Sequence, residues 1–406
     1  MRVVQKFGGT SVASNARLAL VADRVIETVR QGASVAVVVS AMAGETDRLL
    51  AHYRALCPAD EAPVECDSLL AAGEQITAAL LAALFRARGW TSRSFLGWQL
   101  PIHTSGDARK AWMLDVDTRP IQQCWLEGGI PVVAGFQGWH APTGRITTLG
   151  RGGSDTTAVG LAAALHADRC DIFTDVDGVY SADPRLVPEA RKLRAVGYQA
   201  MLSMASLGAK VLHPRSVQLA WRHGVRVCVR SSFSAEGGTW VLPDKDCVML
   251  EDSTMVSLAY RRDQTLFLLE GWSSDAFHGA LRGLAGASIT MDWMAGAGAL
   301  MVSLASHEGE RALAVFRRHC PTDGAVECRE GYAHLSMIGT ASEAQPWMVE
   351  QCLEYIEVSG IPLAGWTASD VRLTLVLPEA YLTQALQGLH NRLLGASESG
   401  DRHASN

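Results

Sequence analysis

The sequence predicts an α/β protein: a mostly parallel sheet sandwiched by helices over residues 1–233, followed by two ferredoxin-like βαββαβ units. Three observations carry this reading. Apolar strands alternate with helical patterns up to about residue 232, as a parallel sheet covered on both faces requires. The composition shifts at Ser234–Asp246, where Gly237, Gly238 and Pro243 punctuate the chain. Beyond that shift a strand–helix–strand–strand pattern occurs twice, at a period of roughly seventy residues.

Taken in order, Val3–Phe7 reads as a buried strand and Asn15–Arg30 as an amphipathic helix. Val35–Met42 is a β-branched strand, Asp67–Arg88 has helical periodicity, and Pro131–Phe136 is strand again. An Ala- and Leu-rich helix over Asp155–Ala167 precedes a strand at Asp171–Asp175, and a helix over Ala209–His223 leads into the strand Val225–Ser231. Residues 234–252 read as a linker, 253–330 and 331–396 as the two small units, and 397–406 as a polar, disordered tail. Within the units, Leu266–Gly271 and Leu335–Gly339 are short strands ending in glycine. Helices at Asp275–Leu284 and Trp347–Val358 follow them, then strands holding Trp293 and Trp366, then strands Leu300–Ala305 and Val371–Leu377. Units this small are expected to pair sheet to sheet or across a subunit interface.

Composition narrows the function classes. With 36 Lys plus Arg against 42 Asp plus Glu, a net charge of -6, the chain has no basic footprint for nucleic acid or an anionic membrane. Apolar runs such as Ser34–Met42 are strand-length, and the opening residues read as strand rather than as a signal peptide. Nine dispersed cysteines without a C-x-x-C pair are expected to be reduced residues of a cytoplasmic protein. Twelve histidines without H-E-x-x-H spacing give no reason to expect a metal site built from the protein alone.

Four glycine- or charge-rich motifs carry chemistry. KFGGTSV (Lys6–Val12) ends the first strand; Gly8 and Gly9 let backbone amides approach an anion, and Lys6 can face a phosphoryl group. It is neither a Walker loop nor a G-x-G-x-x-G turn. In TTLGRGGSDTTA (Thr147–Ala158), three glycines bracket Arg151, and Ser154 and Asp155 open a helix. Such a loop suits a carboxylate or phosphate, though Asp155 can equally be a helix cap. In FTDVDGVYSADPR (Phe173–Arg185) a strand ends in acids and glycine: either a plain hairpin or a nucleotide loop. MASLGAKVLHP (Met204–Pro214) places Lys210 at an expected helix start, where a cation is electrostatically disfavoured. SAMAGETDRLL and LLAAGEQ put Thr46 and Glu74 near element ends.

Together with VVAGFQG, these motifs in this order resemble the aspartokinase branch of the amino acid kinase family, densely over residues 1–240 and loosely beyond. The resemblance implies an ATP-dependent kinase phosphorylating the side-chain carboxylate of aspartate, on the way to lysine, threonine and methionine. It implies Lys6 and Lys210 as the lysines flanking the transferred phosphoryl group, with Asp155 orienting them. Arg151, Ser154, Thr46 and Glu74 would bind aspartate, Glu74 meeting its ammonium. Lys6, Phe7, Gly8, Gly9, Thr174, Asp175, Tyr180, Arg185 and Lys210 would line the ATP site, with Mg2+ carried on the nucleotide. The tail resembles paired ACT domains, implying a homo-oligomer assembled through them.

The tail also departs from that pattern. Ser273–Gly279 lacks the proline of the usual turn, Met294-Ala295-Gly296 follows Asp292, and Trp366–Asp370 stands where a Ser-Glu strand is expected. Feedback by lysine and threonine is therefore expected to be weak or absent, as in an isoform dedicated to one pathway. Thr104-Ser105-Gly106-Asp107 is a second departure. Two other readings stay open: an amino acid kinase acting on a different carboxylate, and a catalytically silent amino-acid sensor. KFGGTSV joined to paired ACT-like units speaks against the first, and four retained charges (Lys6, Arg151, Asp155, Lys210) against the second.

Overall fold

The computed structural model describes residues 1–209, 211–234, 236–247, 255–297, 299–339, 345–369 and 371–395, in two units. The first unit holds Met1–Val179, Lys192–Ser206 and 211–247. In chain order its elements begin with β1 (Arg2–Phe7), α1 (Asn15–Arg30), β2 (Ser34–Val39), α2 (Glu45–Leu56), α3 (Pro63–Ala87) and β3 (Ser92–Phe95). There follow β4 (Ile102–Thr104), β5 (Met113–Val116), α4 (Arg119–Leu126), β6 (Ile130–Ala134), β7 (Gln137–His140) and β8 (Arg145–Thr148). Next come α5 (Gly153–Ala164), β9 (Arg169–Thr174), β10 (Ala195–Gly197), α6 (Tyr198–Ser206), α7 (Pro214–His223), β11 (Val227–Ser231), β12 (Thr239–Leu242) and α8 (Asp244–Cys247).

Eight strands form the main sheet in the order β10-β12-β11-β9-β1-β2-β6-β3, and β4, β5, β7 and β8 form a small second sheet. The pairs β1–β2, β1–β9, β2–β6, β3–β6 and β9–β11 are parallel, whereas β12 runs antiparallel to β11. Alternation in β1 divides the two faces. Val3 and Phe7 enter the core shared with α1, α3 and the odd-numbered valines of β2, so Lys6 faces the other layer, where α5 packs. From β1 the chain leaves toward β2 on one side and later returns as β9 on the other. Strand order reverses there, which opens a crevice at the carboxyl ends of β1 and β9.

Several expectations need correction. The stretch read as a linker contains β12, which joins the main sheet beside β11, because Thr239–Leu242 is rich in strand-forming residues and buries three of its four side chains. The helix expected from Ala209 starts at Pro214, whose missing N–H and fixed φ suit the first helical position. α3 likewise starts at Pro63, which leaves Glu74 mid-helix rather than near an end.

The second unit holds Tyr180–Arg191, Leu207–Ala209 and the described residues from Met255 on. Its elements are β13 (Met255–Glu270), α9 (Ser274–Gly286), β14 (Trp293–Ala297), β15 (Ala299–Ala305), α10 (Gly309–His319), β16 (Ala325–Gly339), α11 (Gln345–Val358), β17 (Gly365–Ser369), β18 (Arg372–Pro378) and α12 (Leu382–Leu394). Both βαββαβ units are present, but they interleave edge to edge in one six-stranded sheet ordered β14-β15-β13-β16-β18-β17. The long strands β13 and β16 each serve both units. Residues Leu266–Glu270 of β13 pair with the start of β16, and Ser257–Arg261 with its end. A register shift with Asp263 at φ +55° marks the crossover. The second unit's fourth strand thus precedes the first unit in sequence, which a search for consecutive repeats does not anticipate. The segment Tyr180–Arg191, expected in the first domain, folds here. Ala182 and Val187 enter the core with Leu335, Met337, Leu375 and Leu386. The Ser181 hydroxyl meets His390 at 2.9 Å, and Gln387 donates to the Leu186 carbonyl at 2.7 Å.

A fragment of residues 331–395 should therefore not fold by itself, since it lacks the strand Ser257–Arg261. A cooperative thermal transition in its far-ultraviolet circular dichroism would contradict this reading of the sheet.

Candidate active site

The carboxyl ends of β1, β2 and β9 collect most of the residues that the motifs singled out. Lys6 is buried to 8 % exposure, and its Nζ lies 2.6 Å from Asp155 Oδ1. The cap of α5 is Gly152, so Asp155, in the helix's first turn, is not a cap; it serves as the counter-charge of Lys6. A carboxylate there is favoured twice, by the lysine and by the positive helix start. The Gly8 N–H is spent on the Phe173 carbonyl at 3.2 Å, extending the β1–β9 ladder. An anion is instead offered the leading amides of the short 3-10 helix Gly9–Val12. The start of α1 lies further on and is capped by the Ser14 hydroxyl, which accepts from the Arg17 N–H at 3.3 Å.

The Arg151 loop joins β8 to α5. Gly152 adopts φ +70° with its Cα against the His213 side chain, so no side chain fits there. Arg151 is exposed, whereas Ser154 is buried and packs on Gly135 at the end of β6. Phe136, at φ +68°, donates its N–H to the Thr157 hydroxyl at 3.1 Å and accepts from the Leu149 N–H at 2.8 Å. Two residues beyond the sequence reading complete the frame. Arg215, in the first turn of α7, donates to the carbonyls of Leu149 (2.6 Å) and Ala111 (2.5 Å) and lies over the Trp112 ring. His213 caps α7, and burial lowers its pKa. The VLHPRS run held a clue: a histidine before a proline at a helix start, with an arginine next.

Glu74 enters from α3. It is 3 % exposed; Oε1 accepts from the Ala41 N–H at 2.9 Å, and Oε2 is buried without a hydrogen-bond partner among the described residues. Burial pushes its pKa from the usual 4.5 to about 7, against the opposing pull of the Ala41 amide. Thr46, half-buried, lies in the first turn of α2, which Gly44 opens at φ +80°. α3 is long and apolar enough by composition to cross a membrane, yet it buries Asp67, Glu74 and Thr77 in this unit.

The remaining expectations divide. Phe7 is fully buried and stacked on Phe173 at 4.6 Å, so its ring belongs to the core shared with α1 and α3. Thr174 ends β9 and Asp175 follows it, beyond Ile172, the register partner of Lys6; the Thr174 hydroxyl donates to Asp175 at 3.0 Å. Tyr180 and Arg185 fold with the second unit, where Arg185 pairs with Asp183 at 2.7 Å and drives that carboxyl down to about 2. Lys210 lies outside the described residues. Thr104–Asp107 forms a closed turn: the Ser105 hydroxyl bonds Asp107 at 2.9 Å, and Gly106 packs on His140.

A raised carboxyl pKa means the folded state holds a proton that the unfolded state gives up between pH 4.5 and about 7. Stability therefore falls as pH rises through that window. Glu74→Gln should remove the loss and raise stability at pH 8 by on the order of 3 kcal/mol, as read by urea denaturation at pH 5 and pH 8.

A sequence model of the Amino acid kinase family matches residues 1–231. An aspartokinase of Geobacillus stearothermophilus is 39% identical over 408 residues, covering 98% of both chains, and one of Bacillus sp. is 37% identical over 412 residues, covering 98% of this chain and 99% of its own. Among solved structures, E. coli aspartokinase III in complex with aspartate and ADP superposes with a TM-score of 0.79 at 28% identity, covering 97% of this chain and all of that one. The same enzyme with lysine and aspartate gives a TM-score of 0.76 over 97% of this chain and 99% of that one. The whole-chain identity, the main-sheet order and the paired C-terminal units agree: the chain belongs to the amino acid kinase family, in its aspartokinase branch.

Proposed function

We propose that the protein transfers the γ-phosphoryl group of ATP to the side-chain carboxylate of L-aspartate, giving 4-phospho-L-aspartate and ADP. The observation that carries this reading is the charge layout at the strand ends. A buried lysine is held by one carboxylate, an exposed arginine stands on a braced loop, and a buried glutamate keeps one oxygen without a partner. Aspartate presents two carboxylates and an ammonium. Arg151 and Ser154 suit a carboxylate, Glu74 Oε2 suits the ammonium, and Thr46 completes the pocket. The E. coli relative solved with aspartate and ADP supports both ligands.

In this reaction a carboxylate oxygen forms the new bond to the γ-phosphorus while the bond to the bridging oxygen of ADP breaks. The attacking carboxylate is already ionised near pH 7, so no base has to remove a proton. Catalysis then reduces to positioning and to cationic charge on the phosphoryl oxygens. Lys6 supplies that charge, Asp155 keeps its ammonium aimed, and the motif reading adds Lys210. Gly8, Gly9, Thr174 and Asp175 would border the nucleotide. Mg2+ would ride on the phosphates, which supply the hard oxygen ligands it prefers.

Lys6→Ala should lower kcat by on the order of 10²–10³. Hydroxylamine trapping of the acyl phosphate should give product with aspartate, and none with glutamate or N-acetylglutamate. Equal trapping with glutamate would assign a different amino acid kinase activity.

The second unit is read as a regulatory and assembly module for a homo-oligomer serving one pathway, with weak feedback. Two polar groups of its expected effector region are engaged within the chain. The Ser273 hydroxyl accepts from the Ala276 N–H at 3.3 Å to cap α9, and Asp292 is ion-paired with Arg261. Lysine and threonine, separately and together at millimolar concentration, should change aspartate-dependent ADP release by less than about twofold. Strong inhibition by either would remove the feedback-insensitive reading and leave the catalytic one intact.

A further inference from the structure

Asp67 is a fully buried carboxylate two helical turns before Glu74 on α3, so the two acids leave the same face of the helix. Both of its oxygens accept from one amide, the Arg109 N–H, at 3.0 and 3.1 Å. Oδ1 also accepts from the Thr148 hydroxyl at 2.6 Å. A buried acid costs several kcal/mol unless its oxygens are satisfied, and this one spends them on joining two separate segments.

Those segments are the two walls of the Arg151 loop. Thr148 ends β8, two residues before Gly150. Arg109 holds φ +61°, rare for a residue with a side chain, and its carbonyl sits where a Cβ on Gly150 would come within 2.7 Å. The Ala111 N–H closes the pair by donating to the Thr148 carbonyl at 3.0 Å. From the other side, Arg215 ties Leu149 and Ala111 together. The backbone that carries Arg151 is thus fixed on both flanks, and Asp67 is the only side chain bonded to Arg109 N–H and Thr148 Oγ1 at once among the described residues.

We propose that Asp67 is a positioning residue for substrate binding: by clamping Arg109 to Thr148 it sets the Arg151 guanidinium for the aspartate carboxylate. This rests on the reading of Arg151 given above. The clamp uses both carboxylate oxygens, although Oδ1 alone accepts from Arg109 N–H and the Thr148 hydroxyl together. In either orientation an asparagine at this position would set its NH2 about 3 Å from the Arg109 N–H, donor against donor.

Initial-rate kinetics of the full chain test this with Asp67→Asn, Thr148→Val and Thr148→Ser. Asp67→Asn should raise the KM for aspartate by about tenfold or more, and Thr148→Val by a smaller factor, with the KM for ATP within about twofold of wild type. Thr148→Ser keeps the hydroxyl and should restore wild-type behaviour. A purely structural role lowers Tm without splitting the two KM values. Folded Asp67→Asn and Thr148→Val enzymes with an unchanged KM for aspartate would overturn the proposal. Should Asp67→Asn fail to fold, the contrast between Thr148→Val and Thr148→Ser decides by the same criterion. A wild-type chain inert toward aspartate overturns the functional reading together with this one; an active wild type with unchanged variants overturns the role of Asp67 alone.

Discussion

An ammonium group held at the end of the central strand dictates much of the first unit. Lys6 is nearly buried, and a buried cation without a counter-charge is costly enough to displace the strand or lose its proton. Asp155 supplies the counter-charge at 2.6 Å. That contact requires α5 to begin close to the end of β1, and so requires the sharp Gly150–Gly152 turn and the packing of α5 on β1. The same turn presents Arg151 outward. One electrostatic constraint therefore sets the placement of both Lys6 and the Arg151 loop.

α3 shows how the unit bears the cost of function. Its length and apolar composition would suit a plain core helix, yet it buries two acids along one face. Asp67 is satisfied by backbone and hydroxyl donors, whereas Glu74 has one buried oxygen without a hydrogen-bond partner among the described residues, and burial pushes its pKa up to about 7. A partner ammonium would satisfy that oxygen and favour the charged form.

The second unit solves a different problem. Two small units with modest cores gain from sharing long central strands, since β13 and β16 contribute to the core beneath the helices of each half. The same unit draws Tyr180–Arg191 into its core through Ala182 and Val187. A stretch continuous in sequence with the β9 motif thus packs into the core of the second unit.

Much of this was legible in the chain itself. Periodicity found α1 residue for residue and located β1, β2, β9, α9 and α11, because those elements bury a regular stripe of apolar side chains. Local chemistry singled out Lys6, Arg151 and Asp155, since glycines beside charges are conspicuous at short range, whereas Glu74 entered only through the family resemblance. What sequence reading missed depends on groups distant in the chain. The ladder bond that consumes the Gly8 amide, the burial of Phe7 against Phe173, the bracing by Arg215 and the Asp67 clamp each join residues dozens of positions apart. The permuted strand of the second unit and the docking of Tyr180–Arg191 escaped for the same reason. Sequence by itself determined which elements form and which side chains carry charge. Only the tertiary structure decided which hydrogen bonds those groups spend on the fold and which remain for a ligand, because that balance is settled by burial and by partners brought in from elsewhere.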